Sequence, residues 1–306
     1  MTRILMMSFV FLLNNLVMAQ NKDTLFEKRL SAFTWMLDGN AIILNVLKID
    51  KTEKSPPFPK KFKFIIQSET VEFLPIDGGG LNVSPDGNSV AYIKQVNGKD
   101  QICLYNFTQK EDKVLVNDTL KKYAVSWSPD GKNLVYNIQT GKGANAKVEI
   151  CTYNIQADRI KQVTENSVYK CYTPSWNIKS NKIVYTLEKG DKRDQIYLTD
   201  NNGSFHTNLT NDTTTHNYSP FWMNEKTIIY IQAPVDIMTM KIDGSQKRSL
   251  DGISTTQFRY NRKTNSIIYV GADGDLIIYY LKSKTRKVLI KQNQVDTLFN
   301  ESYYNR

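Results

Sequence analysis

Apolar and polar residues alternate in short runs along almost the whole chain, and the runs come in pairs. Around AVSWSPDGKNLVY, Tyr123, Val125 and Trp127 fall on one face of an incoming strand, and Leu134 and Tyr136 fall on one face of an outgoing strand. Between them Ser128, Pro129, Asp130 and Gly131 fit a type I turn: proline presets φ at the second position, and glycine accepts positive φ at the fourth. The pattern predicts a tight hairpin.

The same unit recurs. LNVSPDGNSVAY, TPSWNIKSNKIVY, SPFWMNEKTIIY, FRYNRKTNSIIY and, more distantly, FTWMLDGNAIIL align with it, ending at Leu44, Tyr92, Tyr136, Tyr185, Tyr230 and Tyr269. The interval is about 39 to 49 residues, the range of propeller blades. Two further strand-like runs follow each hairpin, as in DQICLYNF then DKVLVND, so each unit holds four strands. Such a unit cannot cover both of its faces alone, whereas six stacked around an axis cover one another. The expectation is therefore an all-β fold: a single six-bladed β-propeller of four-stranded antiparallel blades over 20–306, with blades at about 31–78, 79–118, 119–166, 167–212, 213–252 and 253–292. Trp35, Trp127, Trp176 and Trp222 all stand just before the first turn of a repeat, which makes them packing residues between blades. DKTEKSPPFPKKFK, Asp50 to Lys63, reads as a loop because its prolines withdraw ladder donors. Segments Asp23 to Leu30 and Val295 to Tyr304 lie outside the repeats and are expected to close the ring by adding a strand.

The N-terminus follows another pattern. Arg3 precedes an apolar stretch from Ile4 to Met18 that ends in Val17-Met18-Ala19, which predicts a signal peptide over 1–19 and an exported chain beginning near Gln20 with no membrane span. The stretch is too short for a membrane span and is interrupted by Asn14-Asn15. Three cysteines, Cys103, Cys151 and Cys171, are an odd number for an exported chain and imply no disulfide framework. Cys103 and Cys151 occupy matching places in QICLYN and EICTYN, as expected of packed strands. The net charge of +10 reads as lysine scattered over turns and strand edges. Without an arginine-rich run or an aromatic RNA-binding signature it does not point to nucleic acid.

Ser84-Pro85-Asp86-Gly87, Trp127-Ser128-Pro129-Asp130-Gly131, Pro174-Ser175-Trp176 and Pro220-Phe221-Trp222 resemble the TolB-like, WD40-like (PD40) propeller repeat family over about residues 31 to 292. That resemblance implies a propeller acting in the cell envelope, periplasmic or secreted, as a platform for an envelope protein or lipoprotein. Only about a dozen residues separate the expected signal peptide from the first repeat, too few for the α/β domain that precedes the propeller in TolB.

Candidate chemistry is sparse. No G-x-S-x-G elbow is present, which argues against a serine peptidase, and two histidines, His206 and His216, are too few for a histidine metal centre. Asp86 and Asp130 read as turn formers, GADGDL and DNNG lack the ligand spacing of a calcium loop, and neither a metal nor a cofactor is expected. The segments leading into the innermost strands carry Lys121, Lys122 and Tyr123, then Tyr169, Lys170 and Tyr172, then His216 and Tyr218. Tyrosine and lysine at successive equivalent positions suit a recognition rim for a protein or a glycan. The expectation is a monomeric, non-enzymatic binding module, with a glycan hydrolase or lyase using channel carboxylates as the rival.

Overall fold

The computed structural model describes residues 26–299 apart from 37, 53, 55, 166–168 and 189–192; the expected signal peptide lies outside the described residues. Among the described residues, twenty-four strands follow one another in groups of four. The first group, β1 (Phe26–Trp35), β2 (Ala41–Asp50), β3 (Phe58–Ile65) and β4 (Thr70–Leu74), forms one sheet in that order. The second, β5 (Gly79–Val83), β6 (Ser89–Val96), β7 (Lys99–Asn106) and β8 (Glu111–Val116), does the same. Next come β9 (Lys121–Trp127), β10 (Asn133–Thr140), β11 (Lys147–Asn154), β12 (Arg159–Gln162), β13 (Lys170–Trp176), β14 (Lys182–Glu188), β15 (Gln195–Asp200) and β16 (Thr207–Asn208). These eight form a single sheet, two antiparallel groups joined where Val148 of β11 pairs in parallel with Lys170 of β13. The last two groups are β17 (Asn217–Asn224), β18 (Thr227–Gln232), β19 (Asp236–Lys241) and β20 (Arg248–Ser254), then β21 (Phe258–Asn261), β22 (Ser266–Val270), β23 (Leu276–Tyr280) and β24 (Thr285–Ile290). The structure thus has four separate four-stranded antiparallel blades rather than the six expected, because the third and fourth repeats share one sheet.

The described chain divides into two compact units, one of residues 34–39 and 76–256, the other of the remainder. Within the first unit, consecutive repeats share their cores. Ala91, Ile102 and Val116 pack with Val125, Leu134, Tyr136 and Cys151. Val135 and Ile150, from the opposite faces of those same strands, pack with Cys171, Trp176, Ile183 and Tyr185. Val184, Ile196 and Leu209 continue the series with Trp222, Ile228, Tyr230 and Met240. The second strand of each repeat is therefore buried on both faces, so Leu134, Val135 and Tyr136 are all inaccessible despite their alternation.

Tryptophan fixes these junctions as its position predicts. Trp127 Nε1 donates to Asn82 O at 3.1 Å, and Trp222 Nε1 donates to Ser175 O at 3.1 Å, each reaching the first strand of the preceding repeat. The turns dock too. In Ser128-Pro129-Asp130-Gly131, Gly131 N donates to Ser128 O at 2.9 Å and Ser128 Oγ to Asp130 Oδ1 at 2.6 Å, while Asp130 N donates to Ser180 Oγ in the next repeat at 3.2 Å. Gly244, at φ +82°, packs against Leu209 O so closely that a Cβ would lie 2.3 Å from that oxygen. All three cysteines are buried and free.

In the second unit two expectations change. β3 begins at Phe58, so Pro59 lies within a strand opposite Leu47, and the connection is shorter than the loop read from the prolines. β4 pairs β3 only from Lys61 to Ile65, which leaves Pro59 beyond the ladder where a missing donor costs little. The C-terminal segment forms no strand as far as it is described: Val295–Leu298 is a short helix that brings Phe299 to 4.7 Å from Phe62, ring centre to ring centre, and 300–304 lie outside the described residues. Lys28 Nζ stands 3.8 Å from Asp296 Oδ1, and Gln292 Nε2 donates to Lys28 O, so the two ends meet through side chains.

Trp222 is 2% exposed, and Trp222→Ala should cost about 3 to 5 kcal/mol. Trp127 is only partly buried, so Trp127→Ala should cost less; equal losses in denaturant titration would contradict the packing described.

Candidate functional site

The rim segments are positioned by a repeated irregularity. Each first strand of residues 76–256 gains one extra residue against its partner: at Gly80-Leu81, at Tyr123-Ala124, at Thr173-Pro174 and at Ser219-Pro220. Gly80, Thr173 and Ser219 take φ of +65°, +48° and +53° there. Thr186 Oγ1 meets two of these bulges, lying 2.9 Å from Thr173 Oγ1 and accepting from Ser219 N of the next repeat at 3.1 Å. Asn137, one repeat earlier, likewise donates from Nδ2 to Cys171 O at 2.8 Å. Tyr172 and Tyr218 stand immediately before their bulges and Tyr123 lies within its own, while the second repeat carries Gly79 before its bulge.

Tyr123 and Tyr172, from adjacent repeats, meet edge to face with ring centres 6.4 Å apart. Tyr123 is 37% exposed, donates from its hydroxyl to Gln139 Oε1, and carries Lys121 Nζ 5.4 Å from its ring centre. Burial, with Asp100 nearby, raises the Tyr123 phenol. Burial, then Glu188, Tyr123 and Asp194, raises Tyr172, and burial with Asp194 raises Tyr218. All three phenols stay protonated at neutral pH, fit to donate hydrogen bonds and unfit to act as bases.

The basic residues sit differently from the sequence reading. The Lys122 side chain is 0% exposed: its ammonium donates to Asp118 Oδ1 at 2.6 Å and to Asp100 O and Leu120 O at 2.9 Å. Lys122 is therefore an internal tie and does not belong to a rim open to a partner. Lys170 pairs with Glu188 at 3.4 Å. His216 Nε2 lies 2.9 Å from Arg193 Nη1, and Nδ1 lies 3.0 Å from Asp194 Oδ2 and 3.2 Å from Asp194 N. Tyr169 packs half-buried against the core around Trp176. The rim is thus aromatic and charge-compensated rather than basic.

The sequence reading missed the acids Asp100, Glu188 and Asp194. Asp100 and Asp194 each stand 22 residues before the rim residue they meet, Lys122 and His216, and that repeated interval was the available signal. His206 is an exposed loop residue that also accepts from, or donates to, Tyr185 OH at 2.9 Å. Beside the rim, Asp212 organises the turn that leads to His216. Burial alone would raise its pKa, but hydrogen bonds from the hydroxyls and amides of Thr214 and Thr215 outweigh that and hold it well below 3.8. Among the described residues no group of three or more His, Cys, Asp or Glu side chains could hold a metal ion.

Two outcomes follow. Lys122→Ala removes a buried ammonium and its bonds to Asp118, Asp100 O and Leu120 O and should cost about 1 to 3 kcal/mol, whereas Lys121→Ala, at an exposed position, should fall within about 0.5 kcal/mol of the parent. Since the folded-state pKa of Asp212 is depressed, its contribution is present above about pH 4 and is lost as pH falls through the folded value. The stability gap between the parent and Asp212→Asn should hold from neutral pH to about 4 and close below it; a gap that persists into strong acid would contradict this.

In comparison with known proteins, the TolB beta propeller domain (PD40) pattern matches residues 79–301. No curated protein sequence matches the chain. Among solved structures, TolB from Acinetobacter baumannii superposes with a TM-score of 0.61 at 13% identity, covering 85% of this chain and 77% of that one. An oligogalacturonate lyase in complex with manganese gives 0.62 at 12% identity, with 87% and 78% covered. An acylaminoacyl peptidase gives 0.59 at 10% identity, with 89% of this chain but 54% of that one covered. At such identities the likeness is one of fold, which hosts both binding proteins and enzymes.

Proposed function

Because the chain belongs to the TolB beta propeller family, we propose that it is an exported, non-enzymatic recognition module whose six repeats act as six blades and whose rim binds an envelope protein. The eight-stranded sheet is then two blades bridged by one backbone pairing. The observation that carries the proposal is the Tyr123–Tyr172 pair, two raised phenols from adjacent repeats meeting at an exposed edge beside Lys121. Tyrosine at such a place gives a partner apolar area and a hydrogen-bond donor at low entropic cost. The ion pair of Lys170 with Glu188 and the contact of His216 with Asp194 hold the surrounding side chains and add polar specificity.

One observation favours a second reading. Glu188 and Asp194 both lie near Tyr172, two carboxylates beside the rim as a glycan-active enzyme would need, and one protein of similar fold is an oligogalacturonate lyase. Glu188 is engaged by Lys170, Asp194 is hydrogen-bonded to His216, and the neighbouring phenols are poor bases, so the binding reading stands first.

The two separate in a single comparison. The chain from Gln20 is used as bait in an envelope extract and incubated with a glycan array, beside a Tyr123→Ala/Tyr172→Ala variant and a Glu188→Gln/Asp194→Asn variant. The proposal expects capture of a defined protein that falls at least about tenfold in the tyrosine variant at unchanged melting temperature. Turnover of an arrayed glycan, lost in the carboxylate variant, would replace it with the enzyme reading.

A further inference from the structure

The positive charge is concentrated, not scattered as its sequence distribution first suggests. Between Gln257 and Gln292 stand eight lysines and arginines against two acids, Asp273 and Asp275, a net +6 within a chain whose total is +10. The fold sharpens this imbalance. Two turns, one joining β21 to β22 and one joining β23 to β24, lie side by side at one end of the last sheet, where Leu281 N donates to Asn265 O at 3.1 Å. Asn265 and Lys284 take φ of +46° and +56°, and Lys284 N donates to Tyr280 O at 2.9 Å, so both turns are tight. The exposed side chains they present include Arg262, Lys263, Lys282 and Lys284, continued by Arg286 and Lys287 at the start of β24. Lys263, Lys282, Lys284 and Lys287 make no ion pair with any described residue. The two acids sit on the turn between β22 and β23, at the other end of strands about 17 Å long.

We propose that this cationic tip docks the protein onto the headgroup surface of an anionic phospholipid bilayer. Four cations on two adjoining turns, continued by Arg286 and Lys287 at the start of β24, make a compact charged end suited to a flat charged surface. A polysaccharide or nucleic acid chain is followed better by a groove or a long strip. Lysine and arginine stems also reach outward while their charge stays in water, and each cation near such a surface adds attraction that salt weakens. The tip belongs to different repeats from the tyrosine rim, so its action does not depend on what the rim binds.

Sedimentation with phosphatidylcholine vesicles, with and without phosphatidylglycerol, tests this. The full chain and the chain from Gln20 are both used, so that any contribution of the apolar N-terminal stretch is separated. Binding is expected only with phosphatidylglycerol, and it should be released by high salt. Lys263→Gln/Lys282→Gln/Lys284→Gln/Lys287→Gln should weaken binding by about tenfold or more at an unchanged melting temperature. A control removing four exposed lysines elsewhere, Lys99→Gln/Lys110→Gln/Lys132→Gln/Lys142→Gln, should weaken it far less. No binding by the parent, equal losses in the two variants, or binding to soluble polygalacturonate but not to vesicles would overturn the proposal.

Discussion

Burial of the middle strands on both faces is the constraint on which residues 76–256 depend. A strand such as β10 presents Leu134 and Tyr136 to the repeat before it and Val135 to the repeat after it, and no single repeat supplies both covers. The repeats are stable only as a stack, and features that appear decorative in one repeat are the couplings of that stack. Trp127 and Trp222 reach a carbonyl of the preceding first strand, Asp130 reaches Ser180, and Gly244 leaves room for Leu209 O. Each coupling removes apolar area from water or satisfies a polar group that the junction would otherwise bury alone.

The rim is a product of the same junctions. Its tyrosines come from the first strands of three repeats, beside or within a bulge, while Asp100 and Asp194 each reach across from one repeat to the next. Asp100 meets Lys122, and Asp194 meets His216. At the junction between them, Val148 stands at the position of Asp100 and Asp194, and its backbone pairs with Lys170, which fuses two repeats into one sheet. A single mechanical arrangement thus fixes side chains that a partner would meet, with little ordering left to do on binding.

The sequence made the hairpins, the turn residues and the role of the tryptophans legible because each is local: a turn needs four residues, and an alternation needs two strands. It misplaced what depends on the neighbouring repeat. Lys122 looks identical to Lys121 until Asp118 and Asp100 enclose it. Pro59 looks like a loop residue until β4 proves too short to need its donor. The charge of the last repeat is countable in the sequence, but the adjacency of its two turns rests on one hydrogen bond between residues sixteen apart, Leu281 and Asn265. The number of separate sheets was likewise beyond local reading, since one backbone pairing alters it.

Native-state hydrogen exchange tests the central claim most directly, because it reports which amides open together. If the repeats of residues 76–256 are stable only as a stack, amides of β6, β10, β14 and β18 should exchange through one common opening at the global unfolding free energy, with the bulge residues beside the rim tyrosines among the protected set. A ladder of distinct, well-separated opening energies, one for each repeat, would show that each folds independently and would contradict the account.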